Sequence, residues 1–207
     1  MKKALELKKK YLNEREKLFD ALIKSNDGVN FNKNHTQLVD RIVKALVKEI
    51  LNHSPVSNFS LIAVGGYGRQ DLSPKSDVDL LFLYQKSNKN IREFITALNN
   101  SLWDLGLEVG ISFLTIKQAI IDSKKDIKTV TKFAESRHLI GDYEQYGEFV
   151  RSIKILIGKL NTLKLSEKKL FELVDRHEYH LGMKTNLEPQ IKEGIGGLRD
   201  IHTILWI

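Results

Sequence analysis

Apolar side chains recur every three or four positions at Leu5, Leu12, Leu18, Phe19, Leu22 and Ile23, with lysine and glutamate between them. That spacing predicts a helix over 3–25, and Asn26-Asp27-Gly28 supplies a stop. A second stripe, Leu38, Ile42, Leu46, Val47 and Ile50, predicts a helix over 35–52, closed by His53-Ser54-Pro55. The texture then changes. Phe59 to Val64 reads as a short apolar strand running into Gly65-Gly66-Tyr67-Gly68, and Val78 to Tyr84 as a second strand, too continuously apolar for an exposed edge. Residues 90–104 suit a helix, Leu107 to Thr115 a third strand, and 116–140 one or two further helices. From about 143 the pattern is helical again. It breaks at Asn186-Leu187-Glu188-Pro189 and at Gly194-Ile195-Gly196-Gly197, before 198–207 opens another helix.

This order places a small α/β unit between helical flanks, with no internal repeat and no low-complexity linker. The divisions expected are a helical segment over 1–54, a core over 55–142 and a helical region over 143–207. Ile201, Ile204, Leu205, Trp206 and Ile207 would form an apolar face with nothing after it to bury against. The expectation is therefore a truncation point within a longer protein and an incomplete last domain.

Composition narrows the class. Apolar residues make up 42% of the 207 and charged residues 29%, a globular balance. No apolar run approaches the length needed to cross a bilayer, and no apolar stretch follows the basic N-terminus to make a secretory signal. Without cysteine, disulfides, thiolate zinc sites and thiol catalysis are excluded. A cytoplasmic location is the default. The net charge of +7 invites a nucleic-acid reading, but residues 1–50 carry +5, residues 151–207 carry +3, and the middle hundred carries −1. Lys8-Lys9-Lys10 has no aromatic stacking platform beside it, so a solvated helix surface accounts for it and no nucleic-acid or membrane partner is expected.

The densest chemical signal runs from Leu61 to Leu83. A strand enters a glycine pair, and eleven residues past Gly66 comes Asp77-Val78-Asp79 at the head of an apolar strand. Residues two apart in a strand share a face, so Asp77 and Asp79 project together. Two such carboxylates repel unless a cation joins them, and Mg²⁺ takes oxygen ligands of this sort while phosphate oxygens and water complete its shell. The Gly65 and Gly66 amides, unhindered by Cβ, suit the phosphates of the same ligand. Asp-x-Asp alone is commonly structural and a lone glycine pair is commonly a turn; their order and spacing carry the signal. The third glycine of a dinucleotide fingerprint is missing, and no Gly-Lys-Ser/Thr occurs anywhere.

Four blocks carry a narrower resemblance. They are Gly-Gly-Tyr-Gly-Arg-x-x-Leu-x-Pro-x-Ser-Asp-x-Asp-Leu-Leu at 65–81, Trp103-Asp104-Leu105-Gly106-Leu107-Glu108-Val109-Gly110, Glu135-Ser136-Arg137-His138-Leu139-Ile140-Gly141-Asp142, and the run from Asn186 through Gly194-Ile195-Gly196-Gly197-Leu198-Arg199-Asp200-Ile201-His202. Together they resemble the PII-protein uridylyltransferase/uridylyl-removing family, within the DNA polymerase β-type nucleotidyltransferases, over roughly 60–207. Gln70 stands where that family usually has glycine, Ile111 where it often has histidine, and Ile195 where proline is common.

The resemblance implies an α+β fold: a small mixed sheet forming a polymerase β-like nucleotidyltransferase core, flanked by N-terminal helices and a partial C-terminal helical domain. It implies that Asp77 and Asp79 hold two Mg²⁺ ions, that the donor is UTP, and that the acceptor is a tyrosine hydroxyl of the signalling protein PII. A third carboxylate on a neighbouring strand normally completes such a site. Glu108 is the candidate, an outward-facing strand residue being the alternative, while Asp104 at a helix end is less suited. For the nucleotide, Gly65, Gly66, Arg69, Ser76, Lys192 and Arg199 are candidates. Arg69 equally suits a salt bridge, Ser76 a cap, and Lys192 and Arg199 surface charge. His177 and His180, three apart on a helix, lack partners for a metal site. Asp-x-Asp does not specify the acceptor, so a transferase with another acceptor and a non-catalytic nucleotide-sensing module remain alternatives. Uridylyl removal in this family uses a separate metal site with adjacent His-Asp pairs. The six histidines here precede Thr36, Ser54, Leu139, Glu178, Leu181 and Thr203. The 207 residues alone are thus expected to show no uridylyl removal, no glutamine response and weak or absent transfer.

Overall fold

A computed structural model describes residues 2–159, 162–182 and 190–207; the expected break at Asn186-Leu187-Glu188-Pro189 lies outside the described residues. The chain opens with α1 (Lys2–Ser25) and α2 (Gly28–His53). Asn26, at φ 51°, makes the corner between them, and Asp27 caps α2 by accepting the Asn30 N–H at 3.0 Å. This cap starts α2 seven residues ahead of the helix that the apolar stripe predicts, because its first turns are polar on most sides.

Next come β1 (Phe59–Ala63), the single turn α3 (Gly65–Gly68), β2 (Val78–Tyr84), α4 (Lys89–Asp104), β3 (Val109–Leu114), α5 (Ile116–Lys125), α6 (Ile127–Ala134), β4 (Arg137–Gly141), α7 (Tyr143–Lys159), α8 (Thr162–Gly182) and α9 (Leu198–Trp206). The sheet order is β3-β2-β1-β4. β1 is antiparallel to both neighbours and β2 is parallel to β3, so the sheet is mixed, in the α+β class that the resemblance implies. β2 is paired on both sides, which its unbroken apolar sequence demands.

Two expectations need correction. Residues 116–140 are not helical throughout: Asp126 caps α6 through the Lys128 and Thr129 N–H groups, the helix stops at Ala134, and 137–141 form β4. Only Leu139 and Ile140 are apolar there, and the strand pairs on one side alone, with a register shift opposite Leu61/Ile62, so its hydrophobic signal is weak. The third strand is also shorter than expected, which leaves Glu108 one residue ahead of β3.

Alternation along the strands divides the core in two. Phe59, Leu61 and Ala63 of β1 with Val78, Leu80 and Phe82 of β2 pack under α2 and α4. Phe82, fully buried, stacks on Phe59 at 5.1 Å and meets Phe94 at 5.5 Å, and burying such a ring contributes about 1.5–3 kcal/mol. Ile62, Val64, Leu81 and Leu83 face the other way, onto Ala119 of α5, Phe133 of α6 and Phe149 and Ile153 of α7. By the same parity, Asp79 lies on the α6 face of the sheet, and Asp77 stands one residue ahead of the strand.

Burial has a measurable consequence in the histidines. His35 donates from Nδ1 to the Leu72 carbonyl at 3.1 Å, and burial foremost holds its imidazole below the usual histidine pKa; burial does the same to His138 and His202. The unfolded chain therefore takes up protons at these sites first as pH falls below about 6.5. Stability is full above that range and declines beneath it. The melting temperature is expected to drop between pH 7.5 and 5.5, less steeply in His35→Gln, and an unchanged melting temperature would contradict the assignment.

Candidate functional site

The site is built where β1 ends. Val64 is extended and its N–H donates to the Asp79 carbonyl at 3.1 Å, tying the turn to the start of β2. Gly65 then takes φ +59°, a region that L side chains disfavour. A Cβ on Gly65 would lie 3.7 Å from Asp79 Oδ2 and 3.8 Å from Lys132 Cγ, so the glycine turn directly adjoins the carboxylate. The Gly65 and Gly66 N–H groups open the turn, where a helix offers them no internal partner. Gly68 serves a different purpose: a Cβ there would fall 1.8 Å from the Glu135 carbonyl oxygen. It is the point where the chain before β4 presses against the turn.

Gln70, two residues on, has φ 65°. This is the position where the resembled family usually carries glycine, and left-handed backbone explains that preference at a cost of about 1 kcal/mol for a residue with a Cβ. Gln70→Gly is expected to raise stability by up to about 1 kcal/mol in chemical denaturation, and a loss instead would show that the glutamine side chain has a role of its own.

Asp77 is exposed and Asp79 half-buried. Lys132, from α6, donates from Nζ to Asp79 Oδ1 at 2.8 Å. In the parallel β2–β3 register Val78 pairs with Val109 and Asp79 with Gly110, and the Val78 N–H donates to the Glu108 carbonyl at 2.7 Å. Glu108 thus stands in line with Asp77 at the sheet's end, with its side chain exposed. Gly110 leaves room for Asp79, whose Oδ1 would be 2.9 Å from a Cβ there. Among the described residues no three histidine, aspartate or glutamate side chains converge on one metal position, so Glu108 is not drawn together with the aspartate pair.

The other candidates divide. Arg69 Nη1 is ion-paired with Glu135 Oε2, the salt-bridge alternative. Ser76 Oγ accepts the Ser73 N–H at 3.1 Å, an ordinary turn contact. Lys192 is exposed, and its backbone carbonyl accepts the Arg199 N–H at 2.9 Å. Arg199 reaches Glu193 at 3.2 Å and lies with its Cζ 5.9 Å from the Trp206 ring centroid. His177 contacts Asp200 at 3.0 Å, which also receives Arg176 and the Gly196 N–H, and this network pins α9 against α8.

Sequence reasoning passed over two residues. Lys132 gives no local signal, since a lysine on an amphipathic helix is usually solvated. Glu135 was visible within a block but without a role. Its Oε1 accepts the Trp206 indole N–H at 2.6 Å while Oε2 takes Arg69, so it joins α9 to the glycine turn. Lys169 Nζ, itself buried, sits over the Trp206 ring, 4.1 Å from its centroid. Below the turn, Arg137 forks onto Asp40 at 2.6 and 3.0 Å and donates to the Tyr67 carbonyl at 3.3 Å.

Mg²⁺ commonly binds through one or two carboxylates with substrate phosphates completing the shell. The aspartate pair fits this description: it offers hard oxygen donors at the head of β2, and one of those oxygens already engages a cationic group.

A family model described as Nucleotidyltransferase domain matches residues 39–138, and one described as GlnD PII-uridylyltransferase matches residues 164–207. The Bifunctional uridylyltransferase/uridylyl-removing enzyme of Chromobacterium violaceum is 36% identical over 195 residues, which is 94% of this chain and 22% of that protein. The proteins of the same description from Pseudoalteromonas translucida and Erythrobacter litoralis are 38% identical over 193 residues and 34% identical over 215, covering 92% and 100% of this chain and 22% and 23% of theirs. The chain spans about a fifth of the length of these relatives.

Proposed function

This chain is a nucleotidyltransferase related to the PII uridylyltransferases, and from that premise we propose that it transfers UMP from UTP to a tyrosine hydroxyl of PII. The observation that supports the reading is the closeness of the Gly65 turn to the Asp79 carboxylate; the turn's amides would serve phosphate and the carboxylate a divalent cation.

In this reaction the tyrosine oxygen forms a bond to the α-phosphorus, the bond from that phosphorus to the bridging oxygen breaks, pyrophosphate leaves, and the phenolic proton passes to solvent. Asp77 and Asp79 would hold Mg²⁺, two ions in the full form of the proposal, and the exposed Glu108 side chain would have to swing toward them to serve as third carboxylate. When bound, Mg²⁺ supplies charge for the triphosphate and acidifies the attacking hydroxyl. The Gly65 and Gly66 N–H groups point out of the turn and suit the phosphate oxygens. Arg69, tethered by Glu135, places a guanidinium beside the same turn. Trp206 ties the last helix to that guanidinium through Glu135, and Arg199, Lys192 and Ser76 would be further nucleotide contacts.

The test is incubation with UTP, Mg²⁺ and purified PII, read by mass spectrometry for UMP on a PII tyrosine. Labelling of PII by UTP supports the proposal. Pyrophosphate release with no label on PII would favour another acceptor, and nucleotide binding with no turnover would favour a sensing module.

Glu108→Gln is expected to lower turnover several-fold while leaving nucleotide affinity nearly unchanged, because its place beside Asp77 serves the hydroxyl rather than the triphosphate. Equal turnover in the two proteins would confine the metal to the aspartate pair and substrate oxygens.

A further inference from the structure

Lys132 belongs to none of the sequence blocks that carry the nucleotide chemistry, yet it makes the closest contact to either site aspartate. Its ammonium lies 2.8 Å from Asp79 Oδ1, and its stem passes the Gly65 turn. Both partners are about one-third exposed, 35% and 33%, so the contact is neither sealed nor rigidly packed. The nearby carboxylate at the end of α6, Glu135, is engaged elsewhere: one oxygen holds Arg69 and the other holds Trp206. Asp79 is thereby the anion left for this lysine.

We propose that Lys132 is a placeholder cation. It neutralises Asp79 while no divalent ion is bound, yields that oxygen to the ion, and transfers its charge to the triphosphate of the incoming nucleotide. The proposal rests on the nucleotidyltransferase reading of the aspartate pair.

Electrostatics supplies the reason. Without the lysine, the Asp79 carboxylate would lose the ammonium that neutralises it, two residues along the chain from a second aspartate. With it, a divalent ion seeking direct contact with Oδ1 meets a positive group on the same oxygen, and the two cations repel strongly at such range. Magnesium demands direct oxygen ligands at about 2.0–2.1 Å, so the ammonium and the ion cannot both hold that lone pair. A lysine has a long stem and three donors, which lets it leave the carboxylate for a neighbouring phosphate without movement of α6. The consequence is coupling: ion alone should bind weakly, nucleotide alone should bind through Lys132, and each should favour the other.

The experiment measures binding, not turnover. Mn²⁺ affinity is read by electron paramagnetic resonance without nucleotide, and affinity for α,β-methylene-UTP is read by calorimetry in EDTA, for wild type, Lys132→Met, Lys132→Arg and Asp79→Asn. Lys132→Met is expected to bind Mn²⁺ about tenfold tighter and the metal-free nucleotide about tenfold more weakly, with Lys132→Arg close to wild type in both. A lysine that merely braces the fold would shift the melting temperature and neither constant. Equal Mn²⁺ affinity in wild type and Lys132→Met, with loss in Asp79→Asn, would overturn the placeholder and leave the site standing. Mn²⁺ binding insensitive to Asp79→Asn would overturn the site and the placeholder with it.

Discussion

Asp79→Asn is expected to lower transfer at least ~10²-fold while the protein stays folded, because removing one preorganised electrostatic group from a polar transition state typically costs that much. Asparagine keeps the shape and the oxygen that accepts the Lys132 ammonium, so packing at the head of β2 is retained. The formal charge is what disappears. A half-exposed ion pair contributes at most about 1 kcal/mol, and relief of the repulsion from Asp77 offsets part of it. The melting temperature should therefore move by only a few degrees. Asp77→Asn should behave alike. Transfer of label from [α-³²P]UTP, read beside a thermal melt, checks both halves: near-wild-type transfer would end the metal assignment, and collapse of the melt would mean that Asp79 is structural.

The second large effect is on stability and falls on the last glycine of the turn. Gly68→Ala is expected to cost about 3 kcal/mol or more in urea denaturation, whereas Gly66→Ala should cost about 1 kcal/mol or less. The new methyl at Gly68 would stand 1.8 Å from the Glu135 carbonyl oxygen and 3.0 Å from that of Ala63, and both are backbone atoms. Neither side can retreat easily. Ala63 lies in a central strand, and the chain beyond Glu135 is held by the Tyr146 hydroxyl on the Ser136 carbonyl and by the Arg137 fork on Asp40. At Gly66 the nearest atoms would be 3.7 Å away, ordinary contact. Equal stability of the two variants would contradict the close approach.

These two glycines show what the amino-acid sequence discloses and what it hides. The apolar runs of β1 and β2 and the helix at α4 follow from periods of two and of three to four, which local sequence carries directly. Gly68 carries no distinguishing signal in the run Gly65-Gly66-Tyr67-Gly68; its constraint comes from the chain before β4, which arrives beside it. That arrival was illegible because Arg137 to Gly141 pairs on one edge only and offers two apolar residues in five. Lys132 was hidden for a related reason: it meets Asp79 across 53 residues of chain, and nothing local distinguishes it from a solvated lysine. Arg69 was legible as a choice between phosphate and carboxylate, and only tertiary structure could supply Glu135 as the partner. Glu108 was placed inside a strand on its neighbours' hydrophobicity, while the ladder itself begins one residue later.

The indole of Trp206 makes the chain its own optical gauge. Of the two tryptophans, Trp103 stands 63% exposed on α4. Trp206 is clamped between the Lys169 ammonium and the Glu135 carboxylate, whose second oxygen grips Arg69 at the glycine turn. A ligand that draws Arg69 toward phosphate must alter the field on that ring. Emission from Trp206, isolated by replacing Trp103 with phenylalanine, would then report events at the turn in real time, with no dye attached.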